Sequence, residues 1–245
     1  MAERVYPPVI AFAKLAFRAL DLNIEVQGGE YIPRTGPVVL ASNHVSYLDF
    51  IFAGWGCRQS KRLVRFMAKE AVFNHRISGP LMRGMHHIPV DRDAGSNSYR
   101  EALARLKAGE VVGVFPEATI SRSFTVKEIK SGAVRMALAT KAPLIPVGVW
   151  GAQRMWTKGR PKELTKRHVA VKVYVGEPMY PTRGEDPNAL TDELRKRMQE
   201  LLDRAQRNYP DSPSGEDDRW WQPAHLGGTA PAPDEAVRLD AAKPE

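Results

Sequence analysis

His44 and Asp49 stand five residues apart in the run Ser42-Asn43-His44-Val45-Ser46-Tyr47-Leu48-Asp49. An imidazole with a carboxylate at hand can act as a general base: the carboxylate holds one ring nitrogen and leaves the other to take a proton. Acyl-transfer and proton-transfer enzymes use such pairs. Five helical steps of about 100° leave two side chains roughly 140° apart, so an uninterrupted helix cannot present both on one face. One of the two must lie in a turn leading into the helix. The apolar run Pro37-Val38-Val39-Leu40-Ala41 reads as a buried strand. Ser42 or Asn43 then offers a turn or N-cap before a short helix through Tyr47 to Phe52. His44 is expected at a strand-to-helix mouth.

The remaining pattern supplies the scaffold. Further strands are expected over 62–68, 87–90, 111–115, 144–149 and 169–175. Ser98-Tyr99-Arg100-Glu101 is a capping box that opens a helix through Leu103 and Leu106, stopped by Gly109. Residues 132–141 read as helical, and Leu190, Leu194, Met198, Leu201 and Ala205 give a last amphipathic helix. This alternation predicts a single α/β domain, a mixed or parallel central sheet flanked by helices, with an N-terminal amphipathic helical segment. The expected divisions are an interfacial segment at 1–30, the main domain at 31–209 and a mostly extended C-terminal tail at 210–245. The tail's Pro, Ser, Gly, Asp and Glu cannot bury enough apolar area to fold alone. Trp220-Trp221 is the exception, expected to dock on the domain or to meet a membrane interface.

The 245 residues, 43% hydrophobic and 26% charged, have the composition of a globular protein. The net charge of +8 hides an asymmetry: from Gln206 onward there are four basic and eight acidic residues, which leaves the body at +12. A basic body predicts an anionic partner surface. No platform of aromatics interleaved with cations is present, so nucleic acid is not the expected partner. Val9 to Leu20 is too short to span a bilayer, and Lys14 and Arg18 interrupt it. As a helix it places Phe12, Leu15, Ala16 and Ala19 on one side. Two readings stand: an interfacial helix at an anionic membrane surface, or a helix packed on its own domain. The one cysteine, Cys57, excludes an internal disulfide and suits a cytoplasmic setting.

Three more clusters follow in order: Gly84-Met85-His86-His87-Ile88-Pro89-Val90-Asp91-Arg92, then Phe115-Pro116-Glu117-Ala118-Thr119-Ile120-Ser121-Arg122-Ser123, then Ala142-Pro143-Leu144-Ile145-Pro146-Val147. With Asn43, His44 and Asp49 they resemble the 1-acylglycerol-3-phosphate acyltransferase family, the glycerolipid acyltransferases with an N-H-x-x-x-x-D motif. The resemblance covers about residues 37 to 150. It implies that His44 is the base, oriented by Asp49, and that Asn43, Lys69, Arg92, Glu117, Thr119 and Arg122 lie on the substrate side. It implies transfer of a fatty acyl chain from acyl-CoA, or from acyl carrier protein, to lysophosphatidic acid. Glycerol 3-phosphate, another lysophospholipid or a glycolipid are alternative acceptors, and a non-catalytic lipid-binding protein is an alternative role. The expected location is peripheral, on the cytoplasmic face of the cell membrane.

The third cluster departs from the family's F-P-E-G-T-R-S. Ala118 stands for the glycine, Ile120 for the arginine, and Arg122 comes two positions later. Either Arg122 reaches back to the same anion, or acceptor recognition is altered. His86-His87 reads as structural, since adjacent strand residues point to opposite faces and no partner has ligand spacing. No catalytic metal and no cofactor are expected.

Overall fold

The structure is a computed structural model that describes residues 3–91 and 95–242. Its strands are β1 (Asn23–Gln27), β2 (Val38–Ser42), β3 (Val64–Lys69), β4 (Ile88–Val90), β5 (Val111–Val114), β6 (Leu144–Trp150) and β7 (Ala170–Val175). The helices are α1 (Tyr6–Ala19), α2 (Asp49–Gly56), α3 (Glu70–Asn74), α4 (Ser78–Gly84), α5 (Gly95–Lys107), α6 (Gly132–Thr140), α7 (Pro187–Arg207) and α8 (Pro233–Ala242). The strands form one sheet in the order β1-β7-β6-β2-β5-β3-β4. Every neighbouring pair is parallel except β6 with β7, so the sheet is mixed, with β1 and β7 reversed.

Strand periodicity sorts the core into two layers. In β2, Val39 and Ala41 pack with Ala102 and Leu106 of α5, Val134 of α6 and Leu194 of α7. Val38 and Leu40 point the other way, onto Phe52 and Ala53 of α2. A strand buried on both faces must be apolar throughout, which is why the run at 37–41 has no alternation. Because β2, β5, β3 and β4 are parallel, their carboxyl ends share one edge of the sheet. Open α/β sheets bind ligands at that edge. The segments carrying His44, Glu117, Lys69 and Asp91 leave the sheet there.

Several expectations change. The division at residue 30 falls inside the domain, because β1 is paired with β7. The tail is not extended: it folds into 3-10 helices at Glu216–Trp221 and Ala224–Leu226, and then into α8. Trp221 anchors it, fully buried, with its ring under the Arg154 guanidinium at 4.5 Å and beside Tyr209 at 5.5 Å. One large aromatic ring supplies the apolar burial that the rest of the tail lacks.

α1 packs on its own domain along one side. Tyr6 and Val9 pack with Phe73, Met82 and Met85, and Phe17 stacks on Phe52 at 5.5 Å. The opposite side leaves Phe12 73% and Leu15 67% exposed. Among the described residues, no helix is long and apolar enough to cross a membrane.

Candidate active site

His44 follows β2 in the loop ahead of α2, and Asp49 is the first residue of that helix. An acidic residue is favoured there by the helix dipole and by unpaired N–H groups nearby. Asp49 Oδ2 accepts the backbone N–H of Val45 at 2.6 Å and of Ser46 at 2.7 Å, and lies 3.0 Å from His44 Nδ1. The loop is thus wound around one carboxylate oxygen. Asp49 is fully buried, and its Oδ1 has no partner among the described residues. Burial pushes this carboxyl above its ordinary range, against the opposing pull of His44 and the two N–H groups. A carboxylate so poorly solvated gains most when a positive imidazolium forms beside it.

The His44 ring stacks on Phe115, with centroids 4.3 Å apart, and its side chain is 20% exposed. With Nδ1 committed to Asp49, Nε2 is the nitrogen left to exchange a proton. Ser46 fixes the far side of the loop, donating its hydroxyl to the carbonyls of Trp156 at 2.6 Å and Ala152 at 3.1 Å.

Glu117 has a different task from the substrate contact expected of it. Its Oε1 accepts the backbone N–H of His44 at 2.8 Å, and its Oε2 accepts that of Lys127 at 2.9 Å. Both oxygens are used by the main chain, and the side chain is buried, so Glu117 positions the His44 backbone. Burial raises its carboxyl from 4.5 to about 8, while the two backbone donors and Lys127 pull it down. Asn43 is likewise a positioning residue. Its amide donates to the Val149 carbonyl at 3.0 Å and accepts the Val149 N–H at 2.7 Å, continuing the β2–β6 pairing after the strand has ended.

The loop from 115 to 131 carries the other expected residues. A loop this long needs its backbone groups satisfied, and it is tied to the His44 loop by Ser121 N–H donating to the His44 carbonyl at 2.7 Å. Ala118, in the place of the family glycine, has φ +63°. That left-handed backbone explains the glycine preference, and Ala118 bears the strain. Ile120 is buried and points inward. Thr119 Oγ1 accepts from Lys127 Nζ at 2.6 Å, and Arg122 Nε donates to Asp240 of α8 at 3.0 Å. Lys127 Nζ and Lys158 Nζ also reach Asp240, at 2.8 and 3.1 Å. Arg122 therefore belongs to a cluster of three cations. Lys127, Lys158 and Asp240 escaped the reading of the sequence because no motif links them.

Lys69 is exposed at the end of β3, separated from β2 by β5 and so roughly 10 Å away along the sheet edge. Arg92 lies outside the described residues. His87 is structural: its Nδ1 accepts the Phe66 N–H at 3.0 Å, and burial lowers it to about 4. Burial pushes the Cys57 thiol up to about 12, which makes it a packing residue. Among the described residues, no group of three or more His, Cys, Asp or Glu is placed to hold a metal ion.

Comparison with known proteins gives the same picture. The model of the family described as Acyltransferase matches residues 23–150. A 1-acyl-sn-glycerol-3-phosphate acyltransferase of Bacillus subtilis is 32% identical over 202 residues, which is 77% of this chain and 96% of that protein. A chloroplastic 1-acyl-sn-glycerol-3-phosphate acyltransferase of Brassica napus is 30% identical over 73% of this chain but only 50% of its own length. Among solved structures, the 1-acyl-sn-glycerophosphate acyltransferase of Thermotoga maritima superimposes with a TM-score of 0.68 at 25% identity, covering 82% of this chain and 79% of that one.

Proposed function

The chain belongs to the 1-acylglycerol-3-phosphate acyltransferase family, and we propose that it moves a fatty acyl chain from an acyl-CoA or acyl-carrier-protein thioester to the free hydroxyl of 1-acylglycerol 3-phosphate, giving phosphatidic acid. The observation that carries this reading is the His44–Asp49 contact of 3.0 Å, with Nδ1 held and Nε2 left to act, beside a cluster of cations.

The steps follow from that geometry. The glycerol hydroxyl attacks the thioester carbonyl carbon while its proton passes to His44 Nε2. The imidazolium so formed is stabilised by Asp49, whose buried carboxylate is otherwise held by the Val45 and Ser46 N–H groups. The tetrahedral intermediate then collapses, the carbon–sulfur bond breaks, and the leaving thiolate takes the proton from His44. The ester remains on the glycerol. Among the cations, Arg122 is assigned to the acceptor's phosphate, with Lys69 from the same edge of the sheet and, on the resemblance alone, Arg92 as further candidates; guanidinium groups can bind two phosphate oxygens at once. α1 is assigned to an anionic membrane surface, where Phe12 and Leu15 enter the acyl boundary and Lys14 and Arg18 meet headgroups. The location that follows is peripheral, on the cytoplasmic face.

The test is a panel of acceptors (1-acylglycerol 3-phosphate, glycerol 3-phosphate, other lysophospholipids and a glycolipid) with a fixed acyl donor, run on the wild type and on His44→Ala. Turnover is expected to be highest with 1-acylglycerol 3-phosphate, and to be lost in a folded His44→Ala protein. Near-normal turnover in the variant would refute the assignment of the base.

A further inference from the structure

We infer that the Asp240 carboxylate, carried on α8, is a built-in occupant of the site that receives the acceptor's phosphate, so that the acceptor binds by displacing α8. The identity of the acceptor rests on the function proposed above; the anion site rests on contacts within the chain.

Asp240 Oδ1 accepts from Arg122 Nε at 3.0 Å and lies 3.1 Å from Lys158 Nζ, and Oδ2 accepts from Lys127 Nζ at 2.8 Å. These cations are not a remote surface group. Arg122 and Lys127 stand on the loop whose Ser121 N–H donates to the His44 carbonyl, and the Lys127 N–H shares the Glu117 carboxylate with His44. Lys158 follows Thr157, whose hydroxyl donates to the Val45 carbonyl at 2.7 Å. The Arg122 guanidinium lies over Gly159, where a Cβ would meet Nη1 at 2.6 Å. Two loops that brace the base therefore aim three cations at one point.

One carboxylate is a poor match for that point. Three positive groups around a single negative charge leave an excess of about two, whereas a phosphate monoester carries ≈ −1.5 to −2 and three acceptor oxygens. Burial disfavours the Asp240 charge, but hydrogen bonds from Lys127, Lys158 and Arg122 outweigh it and hold the carboxyl at about 2. The helix that delivers it is lightly attached. Ala236 is the buried residue of α8, and Val237 is 63% exposed. A helix of ten residues is too short to be stable alone, so α8 depends on this ionic contact and can be exchanged for a better anion. A tethered carboxylate at the high effective concentration of a short linker is a standing competitor for the site.

The experiment uses the full chain with Asp240→Ala and, as a variant that preserves the helix, Asp240→Asn. Inorganic phosphate is titrated against thermal unfolding, and acceptor and donor KM are measured. Both variants are expected to bind phosphate and 1-acylglycerol 3-phosphate about tenfold more tightly than the wild type, with donor KM unchanged. Lys127→Ala placed on Asp240→Ala is expected to remove the gain. Unchanged phosphate affinity, or a lowered melting temperature with a raised acceptor KM, would overturn the inference and leave Asp240 as a tie for the tail. Failure of the acceptor reading looks different: the wild type would not turn over 1-acylglycerol 3-phosphate, while the phosphate titration would still separate the proteins.

Discussion

Glu117 links stability, pH and the position of the His44 loop in one side chain, and Glu117→Gln separates them. The carboxyl is raised from 4.5 to about 8 by burial. A folded-state value above the unfolded one means that the folded protein keeps a proton the unfolded chain has released. Its stabilising contribution is complete below about pH 4.5 and is lost as pH rises through about 8. Over that window one proton is worth about 1.4 kcal/mol per pH unit, or roughly 5 kcal/mol in all. Glutamine does not titrate, and it turns an N–H2 toward one of the two backbone donors of His44 and Lys127, at about 1–3 kcal/mol for the unsatisfied group. The variant should therefore be less stable than the wild type at about pH 5, by roughly 1–3 kcal/mol, with the wild type's advantage shrinking as pH rises and passing to the variant before about pH 8. Urea unfolding at half-unit pH intervals measures this directly. A wild-type advantage that is constant, or that widens with pH, would refute the reasoning, because it would mean that the two N–H donors keep the carboxylate ionised. Turnover should fall at every pH, since the loop holding His44 loses its clamp.

Asp49→Asn should lower kcat by about three to four orders of magnitude with little change in either KM, because the amide can no longer hold Nδ1 in its donor form; a loss below tenfold in steady-state assays would contradict the orienting role. Ala118→Gly should raise stability by roughly 0.5–1 kcal/mol, the relief of a left-handed alanine less the added unfolded-state entropy. A lower urea midpoint would show that the φ of +63° carries no strain. Replacing the outward Phe12 and Leu15 by Asp should leave the melting temperature unchanged and reduce liposome co-sedimentation more than tenfold, each apolar side chain being worth about 1.5–3 kcal/mol when buried. Undiminished binding would remove α1 from the membrane interface.

How much of this was legible follows from distance along the chain. The His44–Asp49 pair spans five residues, so its contact and its break in helical phase could be read locally. The buried strands announced themselves by apolar runs, and α7 by its spacing. β1 was missed because Asn23–Gln27 is polar at both ends and half-buried between, the pattern of an edge strand with little apolar signal. The Phe115-Pro116-Glu117 cluster was visible, but its acid was assigned to substrate. Its partners are main-chain N–H groups 73 and 10 residues away, and a backbone donor has no signature in a sequence. The tail was misjudged because composition averages over residues, and one buried Trp221 outweighs many polar neighbours.

The sequence by itself determined which polar groups are present, that an imidazole and a carboxylate lie side by side, and that a mixed sheet flanked by helices carries them. These depend on residue type and on short, fixed spacings. Only the tertiary structure decided what surrounds them: that Glu117 and Asn43 hold the scaffold, and that Arg122, Lys127 and Lys158 meet at Asp240, whose bonded partners lie as many as 118 residues away. The physical reason is that charge acts through space. A cluster of cations is made by the strand order and by the loops leaving one edge of the sheet, and neither is written at any single position of the chain.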